Sequence, residues 1–205
     1  DYTEKKSIIK NGKKLKISII KGRQNFRCPF FQEAGKIEKN STLDIFNSSK
    51  SLEKKEESCD LNFLPCKIEI KEKNIDLLKD YLKKNENIKN KYISVKDIKR
   101  ISIASVCPYW SPLIPEELNY NLKDANILRY KGLSGKKYSL YKRKGGCGYY
   151  DQYNAYVDSD VLIFNSDKYK VETILNRKPL TDVEIIDECD EFLDSFSNQK
   201  KININ

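Results

Sequence analysis

The sequence predicts a mostly β fold: an antiparallel up-and-down β-barrel with one inserted helix near residues 75–90 and a C-terminal α-helix. In the second half of the chain, short β-branched and aromatic runs alternate with glycines, which is typical of strands joined by tight turns. Two other stretches change to an apolar spacing of three and four, which indicates surface helices. A meander of strands that closes on itself forms a barrel, and 205 residues suffice for a single barrel domain, residues 1–205.

The first third of the chain begins with a polar arm that leads into a strand. Residues 1–10 are mostly polar and are predicted to form a loose arm. The following Asn11-Gly12 pair is a turn signal. Leu15, Ile17 and Ile19 then alternate with polar residues, which predicts a strand with one buried face. Further extended segments are predicted at residues 43–46, 59–70 and 93–106.

The inserted helix is predicted from a change in hydrophobic period. Ile75, Leu78 and Leu82 lie three and four residues apart, and Asn74 is a candidate N-cap. A surface helix is therefore expected over residues 74–90. It would interrupt the run of strands without belonging to the barrel wall.

A proline-rich loop is predicted after the inserted helix. The segment from Cys107 to Pro115 contains three prolines, which fix φ and remove backbone donors, so it cannot form regular structure. The loop carries the only tryptophan, Trp110. Two roles fit this side chain: an anchor of the loop without a ligand role, which is favoured, and a lid at the open end of the barrel.

Closely spaced strands are predicted in the C-terminal half, at residues 127–130, 137–143, 149–157, 161–165 and 169–176. In the last of them, Tyr169, Val171 and Thr173 alternate with polar residues, so one face of the strand is expected to be buried. The strand is expected to stop near Arg177, because the proline two residues later cannot donate to a ladder.

An acidic amphipathic helix is predicted at the C-terminus, over residues 182–196. Thr181 and Glu184 have the spacing of a capping box, so the helix is expected to begin at Asp182. Apolar residues then recur at three and four as far as Phe196, and acidic residues fill the other face. Burying each large apolar side chain contributes roughly 1.5–3 kcal/mol, against about 1 kcal/mol for the cap, so packing is expected to hold the helix.

A family resemblance rests on the segment Ile-Leu-Asn-Arg-Lys-Pro-Leu and the helix expected after it. This segment resembles the last barrel strand, the Arg-x-Pro corner and the C-terminal helix of the lipocalins. The preceding residues, with their Val157-Asp158 step, resemble the two strands before it. The likeness is strongest over Tyr153 to Phe196. It implies structural roles for Gly12 at the first strand, for Asp158 in a turn and for Arg177 across the barrel floor.

The resemblance implies binding of a small apolar ligand inside the barrel. Lipocalins carry lipids, sterols, retinoids or tetrapyrroles, and some limit lipid oxidation. The expected partner is therefore a small hydrophobic molecule, and a homo-oligomer is compatible with the sequence. The candidate ligand-binding residues combine inward positions of the last strand with aromatic residues near the lumen: Tyr149, Tyr153, Val171, Thr173, Leu175 and Trp110.

Composition removes several classes of chemistry. The chain has no histidine, which excludes Ser/His/Asp and Cys/His catalysis, His-ligated zinc and His-ligated haem. No catalytic residues, metal site or cofactor are predicted, and the protein is not expected to be an enzyme. The net charge of +9 comes from scattered lysines rather than from a recognition helix, so no nucleic-acid partner is predicted.

Cysteine usage predicts disulfide bonds and secretion. The wide, irregular spacing argues against a metal site, although several pairings are open. The cysteines are Cys28, Cys59, Cys66, Cys107, Cys147 and Cys189. No segment approaches the about 18–20 apolar residues of a membrane span, and the polar start suggests that a signal peptide has been removed. The Lys- and Asn-rich composition is similar to that of malaria-parasite proteins, which would suit an extracellular space or a vacuolar lumen.

An alternative function is protein binding by an adhesion module. Cys28-Pro29 and Cys107-Pro108 each follow strand-like sequence, which faintly resembles two degenerate copies of the six-cysteine sandwich domain of parasite surface proteins. A disulfide map that divides into two halves would favour this alternative. A bridge from Cys189 to a barrel strand would favour the lipocalin.

Overall fold

The fold is mixed α and β, and the predicted barrel is wrong. The computed structural model describes residues 9–10, 12–37, 58–85 and 95–197. The structure has about twice as many residues in helices as in strands. The strands of the described residues form three small sheets and no closed barrel. The predicted arm (residues 1–8 of it) and the predicted strand at residues 43–46 lie outside the described residues.

Seven strands form these sheets. They are β1 (Ile9–Lys10), β2 (Lys13–Lys14), β3 (Ile17–Ile20), β4 (Leu113–Pro115), β5 (Asn126–Lys131), β6 (Lys137–Lys142) and β7 (Val161–Phe164). Strands β1 and β2 form an antiparallel pair around the turn that contains Gly12, which has a φ of 75°. Strands β3 and β7 pair in parallel, and β4, β6 and β5 form an antiparallel sheet in that order. The closing of a barrel fails because β3 and β7 pair only with each other.

The helices lie between and after the strands. They are α1 (Pro29–Ile37), α2 (Ile75–Lys84), α3 (Arg100–Ala104), α4 (Gly148–Asp151), α5 (Ala155–Asp158), α6 (Ser166–Ile174) and α7 (Cys189–Ser197). Short 3₁₀ turns occur at Arg23–Asn25, Glu72–Asn74, Val95–Asp97, Glu116–Leu118 and Gln152–Asn154. Helix α2 confirms the predicted inserted helix as far as Lys84, and residues 86–94 are not described.

The three-stranded sheet is the part of the fold that the sequence predicts best. Strands β5 and β6 form a hairpin in full register from Asn126 opposite Lys142 to Lys131 opposite Lys137. The turn between them requires Gly135, which has a φ of 75° that side chains with a Cβ rarely adopt. The predicted boundaries at residues 127–130 and 137–143 agree with these strands to within one residue.

The parallel pair joins two segments that are far apart in the sequence, β3 near the N-terminus and β7. Ile17 lies opposite Val161, and Ile20 lies opposite Phe164. Asp160 fixes the start of the pair, because its carboxylate accepts a 2.8 Å hydrogen bond from the backbone N–H of Lys16. Asp158, predicted as a turn residue, forms an ion pair with the Lys16 ammonium. Since the crossover from β3 to β7 contains most of the chain, local sequence cannot reveal this pairing.

The predicted strand at residues 169–176 is wrong, because residues 169–174 belong to helix α6 and residues 175–176 form the turn after it. Asn165 caps the helix: its side-chain oxygen accepts a 2.9 Å hydrogen bond from the backbone N–H of Lys168. Lys168 and Glu172 lie one turn apart and both point inward, with 2.7 Å between the ammonium and the carboxylate. The apolar Val171 and Leu175 are left on the exposed side. The prediction failed because it placed the apolar residues of this segment inside, whereas the buried face of the helix carries an ion pair.

The predicted strand at residues 149–157 is also helical, in α4, α5 and the 3₁₀ turn between them. Tyr149, Tyr153 and Tyr156 lie four and three residues apart, which is helical spacing, and their rings pack on one another in sequence. The extended reading of residues 59–70 and 93–106 is wrong too: the first has no regular strand, and the second contains α3.

The C-terminal helix α7 begins later than predicted. The Thr181 hydroxyl does donate a 3.1 Å hydrogen bond to the carboxylate of Glu184. However, Glu184 also binds the buried ammonium of Lys178 and the hydroxyl of Tyr169, so it is drawn away from a helix N-terminus. Residues 182–188 are therefore not helical, and α7 runs from Cys189 to Ser197.

Two hydrophobic cores hold these elements. The aromatic core contains most of the buried tyrosines and five cysteines together with aliphatic residues such as Ile20 and Leu140. The aliphatic core is smaller and consists of Ile68, Leu78, Tyr81, Ile98 and Ile103, contributed mainly by α2 and α3. Within the described ranges, no helix is long and apolar enough to span a membrane.

Candidate functional site

A small cavity opens on the aromatic core. Its volume is about 170 Å³, and we call it the cationic cavity. Two arginines, a cysteine and aromatic side chains from separate parts of the chain meet there: Arg23, Cys66, Trp110, Tyr149, Tyr153 and Arg177. Four of these, namely Trp110, Tyr149, Tyr153 and Arg177, were candidate residues of the sequence analysis. They line one cavity, although this cavity is not a barrel lumen.

Arg23 enters the cavity from the 3₁₀ turn after β3. Its guanidinium donates a 3.0 Å hydrogen bond to the hydroxyl of Tyr150 and 3.4 Å hydrogen bonds to the Cys66 sulfur and the Cys59 carbonyl. The guanidinium carbon lies 4.1 Å from the ring centroid of Tyr149, which is a cation–π contact. Among the described residues, Arg23 pairs with no carboxylate. Its charge is therefore held by aromatic faces and by weak acceptors.

Glu172 is the carboxylate of this region, and two cations share it. Its side chain is fully buried, and one oxygen accepts hydrogen bonds from the Lys168 ammonium at 2.7 Å and from the Arg177 guanidinium at 2.8 Å. Lys168 also donates a 2.8 Å hydrogen bond to the hydroxyl of Tyr153. The buried Nε of Arg177 has no acceptor within the part of the chain that the structure describes.

The tyrosines around the cavity stay neutral and do not balance these cations. Burial raises the pKa of Tyr150 and of Tyr153 well above the usual value, and it raises the pKa of Tyr156 in the same direction. The hydroxyls of Tyr149 and Tyr153 lie 3.0 Å apart and are joined by a hydrogen bond. The rings form edge-to-face pairs, which fix the walls of the cavity.

Cys66 is the remaining group that can carry negative charge. Its sulfur contacts Cys107, and a hydrogen bond from that thiol, together with the charge of Arg23, lowers the pKa of Cys66 to about 5 although burial opposes this. Cys107 is the protonated partner, and its pKa is raised. Of the charged groups in this region, Arg23, Arg177 and Cys66 line the cavity, and Lys168 and Glu172 lie next to it. The three cations outnumber the two anions when Cys66 is a thiolate, and the excess is larger when its sulfur is neutral.

None of the six cysteines is bridged in the structure, and their predicted bridging stays a prediction. Five are buried, and Cys189 is exposed on α7. Cys59 lies between two neighbours: its sulfur is 3.8 Å from that of Cys147, and its thiol also hydrogen bonds with Cys28. Cys66 and Cys107 form a second contact. These contacts reduce the open pairings to Cys66 with Cys107 and Cys59 with one of two partners.

The other candidate residues lie away from the cavity. Val171 and Leu175 are about half exposed on the outer side of α6, and Thr173 lies on the same helix. Gly12 is in the β1–β2 turn. Since the segment is a helix, the inward phase expected for a barrel strand does not exist. The corrected inner residues of this segment are Lys168 and Glu172.

Five residues of this region were not predicted from the sequence: Arg23, Cys66 as a cavity residue, Tyr150, Lys168 and Glu172. A signal for two of them was present, since Lys168 and Glu172 have the spacing of a helical ion pair and follow the Asn165 cap. Arg23 gave no signal, because its hydrogen-bond partners Cys59, Cys66 and Tyr150 lie 36, 43 and 127 residues away along the chain. Within the described ranges, no cluster of acidic or cysteine ligands could hold a metal ion.

Comparisons with known proteins give no assignment. No protein-family model matches the chain, and neither curated proteins nor solved structures show a significant match. The lipocalin resemblance therefore stays untested as a relationship, although the barrel that it implied is absent from the described residues. The function must be argued from the site itself.

Proposed function

We propose that the protein binds a small oxyanion in the cationic cavity, either as a free ion or as the end group of a small molecule. A carboxylate, a phosphate and a sulfate share the required chemistry. The observation that carries the proposal is the charge around the cavity: two arginines, Arg23 and Arg177, line it, and no carboxylate does. The carboxylate next to it, Glu172, is shared by Arg177 and Lys168.

The imbalance is costly without a ligand. A buried charge is retained in folded proteins when it is paired, and an unpaired one destabilises the fold. An oxyanion beside Arg23 would replace the weak acceptors that the guanidinium now uses. Guanidinium groups bind carboxylate and phosphate through two parallel hydrogen bonds, which a sulfur and a tyrosine hydroxyl cannot offer. The arginine pair therefore supports anion binding better than a purely structural role does.

The size of the cavity limits the ligand. Pockets for drug-sized ligands have volumes of roughly 300–1,000 Å³, whereas this one has about 170 Å³. A volume of about 170 Å³ corresponds to five or six water molecules at about 30 Å³ each. It suits an inorganic anion or a terminal group, with any larger part of the molecule outside, beside Trp110.

Transport of an apolar ligand, which the sequence suggested, stays a prediction that no finding tests. Its expected site was a barrel lumen, which the described residues do not form. The cationic cavity is a poor substitute, because an apolar ligand there would remove hydration from charged groups without pairing them. Secretion likewise stays a prediction.

The test measures anion binding with a variant that leaves Glu172 paired. Protein in chloride buffer is titrated with phosphate, sulfate or acetate at constant ionic strength, and binding is followed by calorimetry and thermal unfolding. At 100 times its Kd, one of these anions should raise the midpoint of unfolding by about 5–10 °C relative to chloride. Arg23→Gln should weaken binding about 10- to 100-fold, because it removes a charge-assisted hydrogen bond.

The control is Arg129→Gln. Arg129 is an exposed arginine of β5 that pairs with Glu116 at 3.0 Å, away from the cavity. This variant should bind the anion as the wild type does. The proposal is overturned if no anion stabilises the protein more than chloride, or if Arg23→Gln and Arg129→Gln bind equally well. Either result would leave the cations as a structural network.

A further inference from the structure

A second concave surface lies between α6 and α7. Its volume is about 540 Å³, and it shares no lining residue with the cationic cavity. The apolar part is formed by Ile163, Phe164, Ile185, Ile186 and Phe192, and the acidic part by Asp167, Asp187, Glu188 and Glu191. These four carboxylates outnumber the single lining cation, Lys170, whose ammonium lies 5.7 Å from the ring centroid of Phe192. We call this surface the acidic groove. It is independent of anion binding, since it carries the opposite charge.

The floor of the acidic groove is built from packed aromatic rings. Tyr169 lies between Phe164 and Phe192, with ring centroids 6.1 Å and 5.5 Å away and edge-to-face geometry on both sides. The Tyr169 hydroxyl is fixed by Glu184, which in turn binds the buried Lys178. The floor is therefore preorganised, and a ligand would not have to order it.

Large apolar side chains remain exposed at the groove. Ile185 is 92% exposed, and Ile163 is 47% exposed. Ile163 extends the groove onto the outer face of the parallel sheet, where Ile17, Ile19 and Val161 are also exposed. Parallel strands are usually covered on both faces, so this uncovered face is atypical. A contiguous apolar surface with a polar rim is typical of an interaction site.

Charge identifies the chemistry of the occupant. Residues 179–199 contain seven acidic residues and no lysine or arginine, whereas the whole chain has a net charge of +9. Among the described residues, Asp187, Glu188 and Glu191 form no ion pair. We infer that the acidic groove binds a basic amphipathic segment of a partner protein, with apolar side chains on the floor and lysines or arginines at the rim.

The test uses two synthetic helix-forming peptides of matched length. One contains leucine and lysine, and the other contains leucine and glutamate, each with a fluorescent label for anisotropy. The Leu/Lys peptide should bind, and the Leu/Glu peptide should not. Binding should weaken as sodium chloride rises from about 0.05 M to about 0.5 M, because salt screens exposed charges.

Variants in the groove separate the apolar and the ionic contributions. Ile185→Ser should weaken binding of the Leu/Lys peptide by about tenfold or more, because a large side chain no longer becomes buried. Asp187→Asn with Glu191→Gln should weaken it by a similar factor at low salt and less at high salt. These changes are conservative for the fold, since Ile185 is almost fully exposed and asparagine keeps the oxygen that accepts the Glu188 N–H.

The matched controls lie outside the groove. Leu118→Ser changes an apolar side chain that is 68% exposed, and Glu72→Gln removes an exposed carboxylate. Both should bind the Leu/Lys peptide as the wild type does, and all variants should have the wild-type circular dichroism spectrum. Equal binding of the two peptides, or unchanged binding in the groove variants, would overturn the inference. A dimer in sedimentation that Ile185→Ser abolishes, without peptide binding, would assign the groove to a second copy of the chain and overturn it too.

Discussion

The two cores of this protein differ in the kind of side chain that they bury. The aliphatic core buries Leu78, Ile103 and their neighbours, and Tyr81 satisfies its hydroxyl with a single hydrogen bond to the carbonyl of Phe63. The aromatic core instead surrounds Lys168 and Glu172, which are nearly or fully buried, and it leaves an open cavity beside Arg23. Apolar burial alone would stabilise either region. Buried charges and an open cavity do not add to stability, so their presence in the aromatic core indicates that this core also serves a function.

This difference indicates where function should be sought. Replacing a buried ion pair by apolar residues of similar volume is often neutral or stabilising, so ionic groups in a core need a reason. The aliphatic core contains no such groups among its members and is explained by packing. In the aromatic core, the proposed anion site would explain why cations are present. The tyrosine rings and hydroxyls that contact these cations explain how the core accommodates them. The comparison can be tested by one change in each core.

The largest effect is expected from Glu172→Gln. The change removes the carboxylate that Lys168 and Arg177 share, so one buried and one partly buried cation lose their partner. The free energy of unfolding should fall by about 3–5 kcal/mol in urea titrations. Phosphate or sulfate should restore part of it, more than in the wild type, because the added anion takes the place of the lost charge. A loss below about 1 kcal/mol would show that the two cores do not differ as argued.

Leu78→Ala is the matched change in the aliphatic core. Leu78 is fully buried, so truncation leaves a cavity and should lower the free energy of unfolding by about 2–5 kcal/mol. Anions should restore none of this loss beyond their effect on the wild type. An oxyanion Kd measured at a temperature where the variant is folded should equal that of the wild type. A changed Kd would mean that the cores are coupled and that the cationic cavity is not a separate site.

The sequence predicts those parts of the fold whose cause is local. Helix α2 has an apolar stripe that the chain itself displays, and β5 and β6 alternate around a glycine turn. These elements were found close to the predicted bounds. The prediction of a barrel was wrong because strand pairing is not a local property. Strand β3 pairs in parallel with β7, and the sequence of neither strand indicates which strand it pairs with.

The site was predicted in part for the same reason. Tyr149, Tyr153 and Trp110 were predicted as ligand contacts and Arg177 as a structural residue, and all four line one cavity. That these residues bind a ligand stays a prediction. Their charged neighbours were missed because polar residues were assumed to face solvent. The inner face of α6 violates that assumption, and a buried Lys–Glu pair can be recognised only when the opposing surface is known. Arg23 comes from a distant part of the chain, so its role depends on the complete fold.

Cys66→Ser is expected to have the smallest effect and to sharpen the charge argument. The Cys66 sulfur lies 3.4 Å from the Arg23 guanidinium and, when it is a thiolate, offsets part of the charge of that group. Because the pKa of Cys66 is lowered to about 5, this negative charge is present at neutral pH and is lost as the pH falls below about 5. A ligand anion is repelled by the thiolate, so wild-type affinity for sulfate, whose charge is constant in this range, should rise as the pH falls through about 5. Serine stays neutral, so Cys66→Ser should bind sulfate about three- to tenfold more tightly at pH 7 and should lack this pH dependence.

Oxidation of the reduced protein with oxidised glutathione should have the same effect if Cys66 and Cys107 form a disulfide, because that bond also removes the thiolate. Calorimetry on the reduced, oxidised and variant proteins measures all three affinities, and weaker sulfate binding by Cys66→Ser would contradict the assignment of negative charge to this sulfur.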